Sequence, residues 1–173
     1  SALWIDPRNP QQLWAGGQGR VFRSVNGGQS WTSQAVGPAA QSVTAITTDP
    51  VDSTRVFALV YGSGLYESQD GGSSWALKSS ASAAASALAL VAHPTQAGRL
   101  LSGTLSSGVQ SSADSGSSWV GSSLGMSLFV RSIAADPGSA TTLYAGTLDG
   151  SVFRSRDGAT TWTAMAQLAR NVF

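Results

Sequence analysis

The sequence contains no cysteine and a single histidine, His93. The absence of cysteine excludes disulfides and thiolate metal sites, and one histidine cannot form a multi-histidine metal centre. We therefore expect no bound metal, and no motif in the sequence requires a cofactor. A cysteine-free chain fits several compartments, among which we favour an extracytoplasmic or secreted location.

Charged residues are also scarce. They make up 11% of the 173 residues, and the net charge is +1, whereas an average domain is roughly a quarter charged. Nucleic-acid binding requires a basic surface that neutralises phosphates, and the sequence contains no basic stripe. No run of 18 apolar residues occurs, so we expect no membrane-spanning helix. Small residues, including 20 glycines, take the place of charge, which is typical of short strands joined by tight turns.

An internal repeat organises the chain. Each repeat ends with a phrase of the form Ser-x-Asp/Asn-x-Gly/Ala-x-Ser/Thr-Trp, and the four tryptophans are 44, 44 and 43 residues apart: Trp31, Trp75, Trp119 and Trp162. A second marker, a residue followed by proline, precedes these tryptophans by 25 or 26 residues: Asp6, Asp49, His93 and Asp136. Two markers that hold register over four units indicate a true repeat.

Each unit contains four short segments of strand length. Units of this size and content predict an all-β fold, a β-propeller built from four four-stranded antiparallel blades. The chain would form a small ring, a half-ring or a fragment of a larger propeller. We predict one propeller domain over residues 1–173, with blades at about 1–38, 39–82, 83–125 and 126–169. Residues 171–173 could begin a fifth blade.

The phrase that ends at each tryptophan is interpreted as a structural hairpin turn, here called the box turn. Its Asp or Asn side chain can accept hydrogen bonds from backbone N–H groups ahead of it, and its glycine permits a positive φ. Ala159 replaces that glycine in the fourth turn, where we expect strain or a different shape. The residues assigned this role are Ser24, Asn26, Gly28, Trp31, Ser68, Asp70, Gly72, Trp75, Ser112, Asp114, Gly116, Trp119, Ser155, Asp157 and Trp162.

These phrases resemble the Asp-box (BNR) repeats of sialidases, xyloglucanase-type glycoside hydrolases, sortilin-like receptors and photosystem II assembly factors. The resemblance covers essentially the whole chain, and the even period without inserted loops is more similar to the assembly-factor and xyloglucanase-like groups. It implies a propeller whose boxes lie away from the active or binding centre. It also implies either protein binding or polysaccharide hydrolysis, because the fold alone does not fix the activity.

The carboxylates offer little support for catalysis. A glycosidase needs two placed carboxyl groups, but six of the nine carboxylates fall in proline turns or box turns. Of the remaining three, Asp52 and Asp149 have turn contexts, and no inserted loop builds a cleft around Glu67. We therefore assign no catalytic residue. His93 replaces aspartate in a proline turn and is expected at the surface.

Three hypotheses remain. The first is a non-catalytic scaffold that binds a protein partner through a propeller face including Arg20, Arg55 and Arg131, with Trp4 as a candidate exposed platform. The second is a fragment of a polysaccharide-active, xyloglucanase-like glycoside hydrolase, with carbohydrate as ligand and catalytic carboxylates outside this segment. The third is self-association, in which exposed blades of two chains complete a ring.

Overall fold

The computed structural model describes residues 2–126 and 129–167. Blade 1 consists of β1 (Ala2–Asp6), β2 (Asn9–Gly16), β3 (Arg20–Ser24) and β4 (Thr32–Ala35). Blade 2 consists of β5 (Val43–Thr48), β6 (Val56–Val60), β7 (Gly64–Ser68) and β8 (Ala76–Ser79). Blade 3 consists of β9 (Ala87–Ala92), β10 (Leu100–Thr104), β11 (Val109–Ser112) and β12 (Val120–Gly121). Blade 4 consists of β13 (Val130–Ala135), β14 (Leu143–Thr147), β15 (Ser151–Ser155) and β16 (Thr163–Gln167).

Each blade is a four-stranded antiparallel meander in which the strands pair in chain order. The prediction of an all-β fold with four such blades is confirmed. One short helix, α1 (Ser82–Ala85), lies in the connection between blades 2 and 3 and was not predicted. No helix in the described part of the chain is long and apolar enough to cross a membrane. The suggested start of a fifth blade at residues 171–173 lies outside the described residues.

The antiparallel meander gives the molecule two chemically different ends. The first and third strands of every blade run towards the end that carries the proline turns and the box turns, which we call the box end. The opposite end, the connection end, carries the turns between second and third strands and the links between blades. This division decides which side chains can meet, because residues at opposite strand ends cannot share a site.

The blades are stacked in chain order. The inner strand β5 contacts β1 on one side and β9 on the other, and β9 also contacts β13. We call the face that a blade turns towards the next blade its front, and the opposite face its back. Front and back side chains alternate along the strands, as the pleat requires, except at β-bulges such as the one between Val43 and Ala45 of β5.

Three hydrophobic clusters fill the spaces between blades. Between blades 1 and 2, Trp14 and Val21 of the front pack against Val56 and Ala58 of the back. Phe57 and Leu65 take the equivalent front positions against blade 3, as do Leu101 and Val109 against blade 4. Equivalent positions therefore pack together between each pair of successive blades, and one interface recurs along the stack.

The box tryptophan belongs to the back face, which explains its variable burial. Trp162 of blade 4 lies beneath blade 3 and is 4% exposed, and its indole N–H donates to the Ser122 carbonyl at 2.7 Å. Trp31 of blade 1 has no described blade behind it and is 41% exposed. The box tryptophan is therefore buried to different extents in different blades, because its burial depends on the blade that lies behind it.

Candidate functional site

The box turns are held by an internal hydrogen-bond network. In blade 2, the Ser68 hydroxyl donates to Asp70 Oδ1 at 2.8 Å and accepts from the Gly72 backbone N–H at 2.7 Å. Asp70 Oδ1 also accepts from the backbone N–H groups of Ser73 and Ser74, and Oδ2 accepts from the Ser74 hydroxyl at 2.6 Å. The side-chain oxygens of Ser68 and Asp70 are therefore hydrogen-bonded within the turn.

The same network keeps the box carboxylates ionised. Donation from the Ser74 hydroxyl, followed by the Ser74 backbone N–H and the Ser68 hydroxyl, lowers the pKa of Asp70 to about 2. Equivalent donors lower the pKa values of Asp114 and Asp157 to about 2. In blade 1 the neutral Asn26 accepts from the Ser30 N–H at 2.9 Å and donates to the Ser30 hydroxyl. Low pKa values suit structural acceptors and do not suit a general acid at neutral pH.

Ala159 adopts the left-handed conformation that its position requires, with φ at +74°. Its N–H donates to the Ser155 hydroxyl at 2.9 Å, as the glycine N–H does in the other boxes. The fourth turn therefore keeps the common shape and carries backbone strain, since a Cβ disfavours positive φ. Of the two outcomes expected at this position, strain is present and a changed shape is not.

The proline turns share a second recurring hydrogen bond, from a backbone N–H to a side-chain acceptor. Oδ1 of Asp6, Asp49 and Asp136 accepts from the backbone N–H two residues ahead, at 2.8–2.9 Å. His93 replaces the carboxylate with its ring, and Nδ1 accepts from the Thr95 N–H at 3.4 Å. The expectation that His93 lies at the surface is wrong, because the side chain is 1% exposed. Burial and the nearby Arg99 guanidinium lower the pKa of His93, which favours the neutral ring that can accept this bond.

Eight of the nine carboxylates lie in the half of the molecule towards the box end; Asp149 is the one at the connection end, and all nine fall within the described residues. Asp149 is held by the Thr147 hydroxyl at 2.6 Å and the Ser151 N–H at 3.1 Å. Glu67 forms ion pairs with Arg55 at 2.6 Å and Lys78 at 3.2 Å. No group of three or more His, Asp or Glu residues suited to a metal ion occurs in the described residues.

The four residues predicted to form a binding surface do not come together. Arg20 begins β3 and Arg131 lies near the start of β13, so both are exposed at the connection end. Arg55 precedes β6 at the box end, where it also donates to Ser115 of blade 3 at 2.7 Å. Trp4 is half-buried between blades 1 and 2, and its indole N–H donates to the Thr48 hydroxyl at 3.2 Å. Arg55 and Trp4 therefore join blades to one another.

A groove at the connection end was not anticipated from the sequence. It has a volume of about 550 Å³ and is mainly apolar, and Tyr61, Leu88 and Leu105 supply its large side chains. Gln41 also lines it, and its Oε1 is buried without a hydrogen-bond partner in the described part of the chain. These residues come from three turns and one strand of successive blades, and no motif links them in sequence. Large apolar residues at turn positions, Tyr61 and Leu105, were the one signal that the sequence offered.

The meander topology, the blade stack and the turn chemistry together define a β-propeller fold. A structure of an ancestral GH74 enzyme superimposes with a TM-score of 0.73 and 24% identity, over 95% of this chain and 23% of that one. YCF48 from Cyanidioschyzon merolae has a TM-score of 0.69 and 17% identity, over 97% of this chain and 56% of that one. YCF48 bound to D1 peptide has a TM-score of 0.68 and 15% identity, over 96% and 53%.

These similarities establish the fold. The chain spans between about a quarter and just over half the length of these structures. No protein-family model matches the sequence, and no curated protein matches it.

Proposed function

We propose that this chain is a non-catalytic propeller scaffold that binds a protein partner, with the connection-end groove receiving an extended apolar segment of that partner. The observation that carries the proposal is the separation of the groove from the carboxylates. Tyr61, Leu88 and Leu105 line a mainly apolar surface, whereas eight of nine carboxylates lie in the other half of the molecule. Apolar and aromatic linings with a few polar groups are typical of peptide and ligand sites.

Two further observations support protein binding. Arg20 and Arg131 give the connection end a positive character with Asp149 as its one carboxylate, so an acidic flank on the partner would be attracted there. The structurally similar YCF48 has been observed bound to D1 peptide. We extend the proposal to self-association, in which exposed blades of two chains complete a ring.

Selection from a phage-displayed library of random peptides tests this function. Peptides with apolar residues at alternate positions should be enriched, and a synthetic copy should bind in fluorescence anisotropy. Leu88→Glu should weaken that binding at least tenfold, because a buried carboxylate would lack a partner in an apolar groove. Val51→Lys, at an exposed apolar residue of the box end, is the matched control and should bind normally. Enrichment of peptides that bind Leu88→Glu and the parent chain equally would contradict the proposed groove.

The alternative is a fragment of a xyloglucanase-like glycoside hydrolase whose catalytic carboxylates lie outside this segment. The similarity to an ancestral GH74 enzyme, of which this chain covers 23%, favours it. Titration calorimetry with xyloglucan oligosaccharides separates the two functions. Saturable oligosaccharide binding that Leu88→Glu abolishes, together with no peptide enrichment, would establish the alternative and exclude the scaffold.

A further inference from the structure

The groove at the connection end contains a polar side chain with an unsatisfied hydrogen-bonding atom. Gln41 lies in the link between blades 1 and 2, where its N–H donates to the Pro38 carbonyl at 3.1 Å and its carbonyl accepts from the Gly19 N–H at 2.7 Å. The half-buried side chain extends towards Gly62, the turn glycine of blade 2 that also lines the groove. The Gln41 carboxamide is therefore part of the groove wall, and its backbone is held in place.

Gln41 Oε1 is buried and accepts no hydrogen bond in the described part of the chain. The other buried side-chain atoms in this condition belong to residues of the box end: Asp6, Arg23 and Trp75. A buried acceptor without a donor destabilises the fold, because it has lost its contact with water without a replacement. In a groove of this size, a bound molecule can supply the missing donor.

The repeat does not require an amide at this position. By the spacing of 44 and 43 residues, the positions that correspond to Gln41 in the next two units carry Ala85 and Leu128. The large side chains around the amide in the groove are aromatic or aliphatic. An apolar residue at position 41 would therefore suit both the fold and the surrounding surface. A local departure from what stability requires is typical of functional positions.

The chemistry of the groove favours a neutral amide as the group that Gln41 binds. A carboxamide carries an acceptor and a donor in one plane, which a main-chain peptide group matches with its own donor and acceptor. Rotation about the last torsion of glutamine is soft, so either end of the amide can turn towards the groove. No charged side chain is among the described residues that line the groove, so a buried ionic group would lack a counter-ion. A ligand rich in hydroxyl groups would leave most of them unpaired on this mainly apolar surface.

An extended apolar segment in the groove would bury some of its own peptide groups. Side chains alternate along an extended chain, so those on one side can pack against Tyr61, Leu88 and Leu105. The peptide group beside Gln41 would lose its water and would need a partner within the groove. The carboxamide supplies that partner, and the peptide N–H supplies the donor that Oε1 lacks.

We infer that Gln41 determines the specificity of the groove by hydrogen-bonding one main-chain peptide group of the bound segment. The groove then accepts various apolar side chains but requires an unsubstituted peptide N–H at one position, where proline is excluded. The inference rests on the scaffold function proposed above, and it adds the group of the partner that the groove recognises.

Replacement of Gln41 by leucine tests the effect of the unpaired oxygen in the absence of a ligand. Leucine has a similar volume and no polar side-chain atom, so the urea midpoint of Gln41→Leu should be equal to that of the parent chain or higher. A glutamine that holds the groove together would give a lower midpoint on this change. A lower midpoint would therefore assign the amide a structural role and overturn the inference.

A scan with backbone esters tests the hydrogen bond in the complex. The probe is the synthetic peptide enriched from the phage library, prepared as a series in which each peptide N–H in turn is replaced by an ester oxygen. With the parent chain, the ester at one position should weaken binding about tenfold in fluorescence anisotropy, because Oε1 again lacks a donor. Gln41→Leu should bind the unmodified peptide about tenfold more weakly and should lose no further affinity at that ester. Two losses that simply multiply at every position would show that Gln41 does not contact a peptide group, and the inference would be wrong.

Gln69→Leu is the matched control, since it makes the same change at an exposed glutamine of the box end. It should leave the peptide affinity and the sensitivity to every ester unchanged. If no peptide binds, or if peptides bind Leu88→Glu and the parent chain equally, the proposed function fails and the inference fails with it. If Leu88→Glu weakens binding but the ester scan is the same for the parent chain and Gln41→Leu, the groove is a binding site and only the role of Gln41 is wrong.

Discussion

At the scale of single residues, the proline turns show how different side chains perform one task. Asp6, Asp49 and Asp136 accept a backbone N–H through a carboxylate oxygen, and His93 accepts it through Nδ1. The repeat spacing predicted that His93 occupies an aspartate position, but not that it is buried. Its burial follows from the task, because the acceptor atom must point back into the turn. A sequence pattern records that a position repeats, whereas the direction of the side chain depends on the fold around it.

His93 should make stability depend on pH above the range in which carboxylates titrate. Its folded pKa is lowered, so the unfolded chain takes up the proton first as the pH falls below about 6.5, and the free energy of unfolding decreases. The loss is complete once the pH is below the folded pKa. His93→Asp removes this dependence, since the carboxylate would pair with Arg99 as Asp49 pairs with Arg55. Urea unfolding at about pH 7.5 and pH 5.5 measures the difference.

His93 is the single histidine of the chain, so few other groups titrate in that interval. The parent chain should be less stable at the lower pH, while His93→Asp should hold its stability. An equal loss in both proteins would mean that another group carries the pH dependence.

At the scale of elements, the four box turns have one backbone shape in four surroundings. Gly28 and Gly116 have φ values of +89° and +86°. A Cβ at Gly116 would overlap Leu65 of the neighbouring blade, whereas a Cβ at Gly28 meets nothing nearer than Trp31 at 3.7 Å. Ala159 is accommodated because Val109, instead of a leucine, occupies the front position opposite blade 4. The box-turn phrase could be found in the sequence, but these differences come from a side chain of the preceding blade that lies about 50 residues earlier in the chain.

Alanine at these two glycines should therefore destabilise the fold unequally. Gly28→Ala introduces backbone strain alone and should cost about 1–2 kcal/mol. Gly116→Ala adds overpacking against Leu65 and should cost about 2–4 kcal/mol in total. Chemical denaturation of the two variants, with Ala159→Gly as a reference for the reverse change, measures the difference. Equal costs would show that the blade interface relaxes around the added methyl group.

At the scale of the whole molecule, the stacked arrangement makes the cost of a mutation depend on which blade carries it. Spacing and alternation in the sequence were sufficient to predict the blades and the strand order. They could not predict the connection-end groove, because its residues come from three turns (Gln41, Tyr61 and Leu105) and one strand (Leu88), at positions that are not repeated from blade to blade. They also could not separate interior from terminal blades, since that distinction depends on what packs behind each sheet.

The box tryptophans of the terminal blades should show this difference directly. Trp162→Ala should lower the free energy of unfolding by about 3–5 kcal/mol, because the indole is almost fully buried under blade 3. Trp31→Ala should cost about 1–2 kcal/mol, because much of the indole ring already contacts water. Thermal or urea unfolding at low protein concentration measures both. A larger loss for Trp31→Ala would contradict the order of the stack.

The uniform register between fronts and backs has a consequence for how such a chain can lengthen or shorten. Every blade has an equivalent front face and an equivalent back face. If 43 or 44 consecutive residues, one whole unit, were removed or duplicated, each remaining blade would therefore still pack its front against the back of a blade. The loss in the free energy of unfolding would be confined to the one new blade interface, where side-chain sizes such as those of Trp4 and Thr48 are no longer matched. Duplication or deletion of whole units in the gene should therefore destabilise this fold little, whereas insertion or deletion of a few residues within a blade should destabilise it strongly.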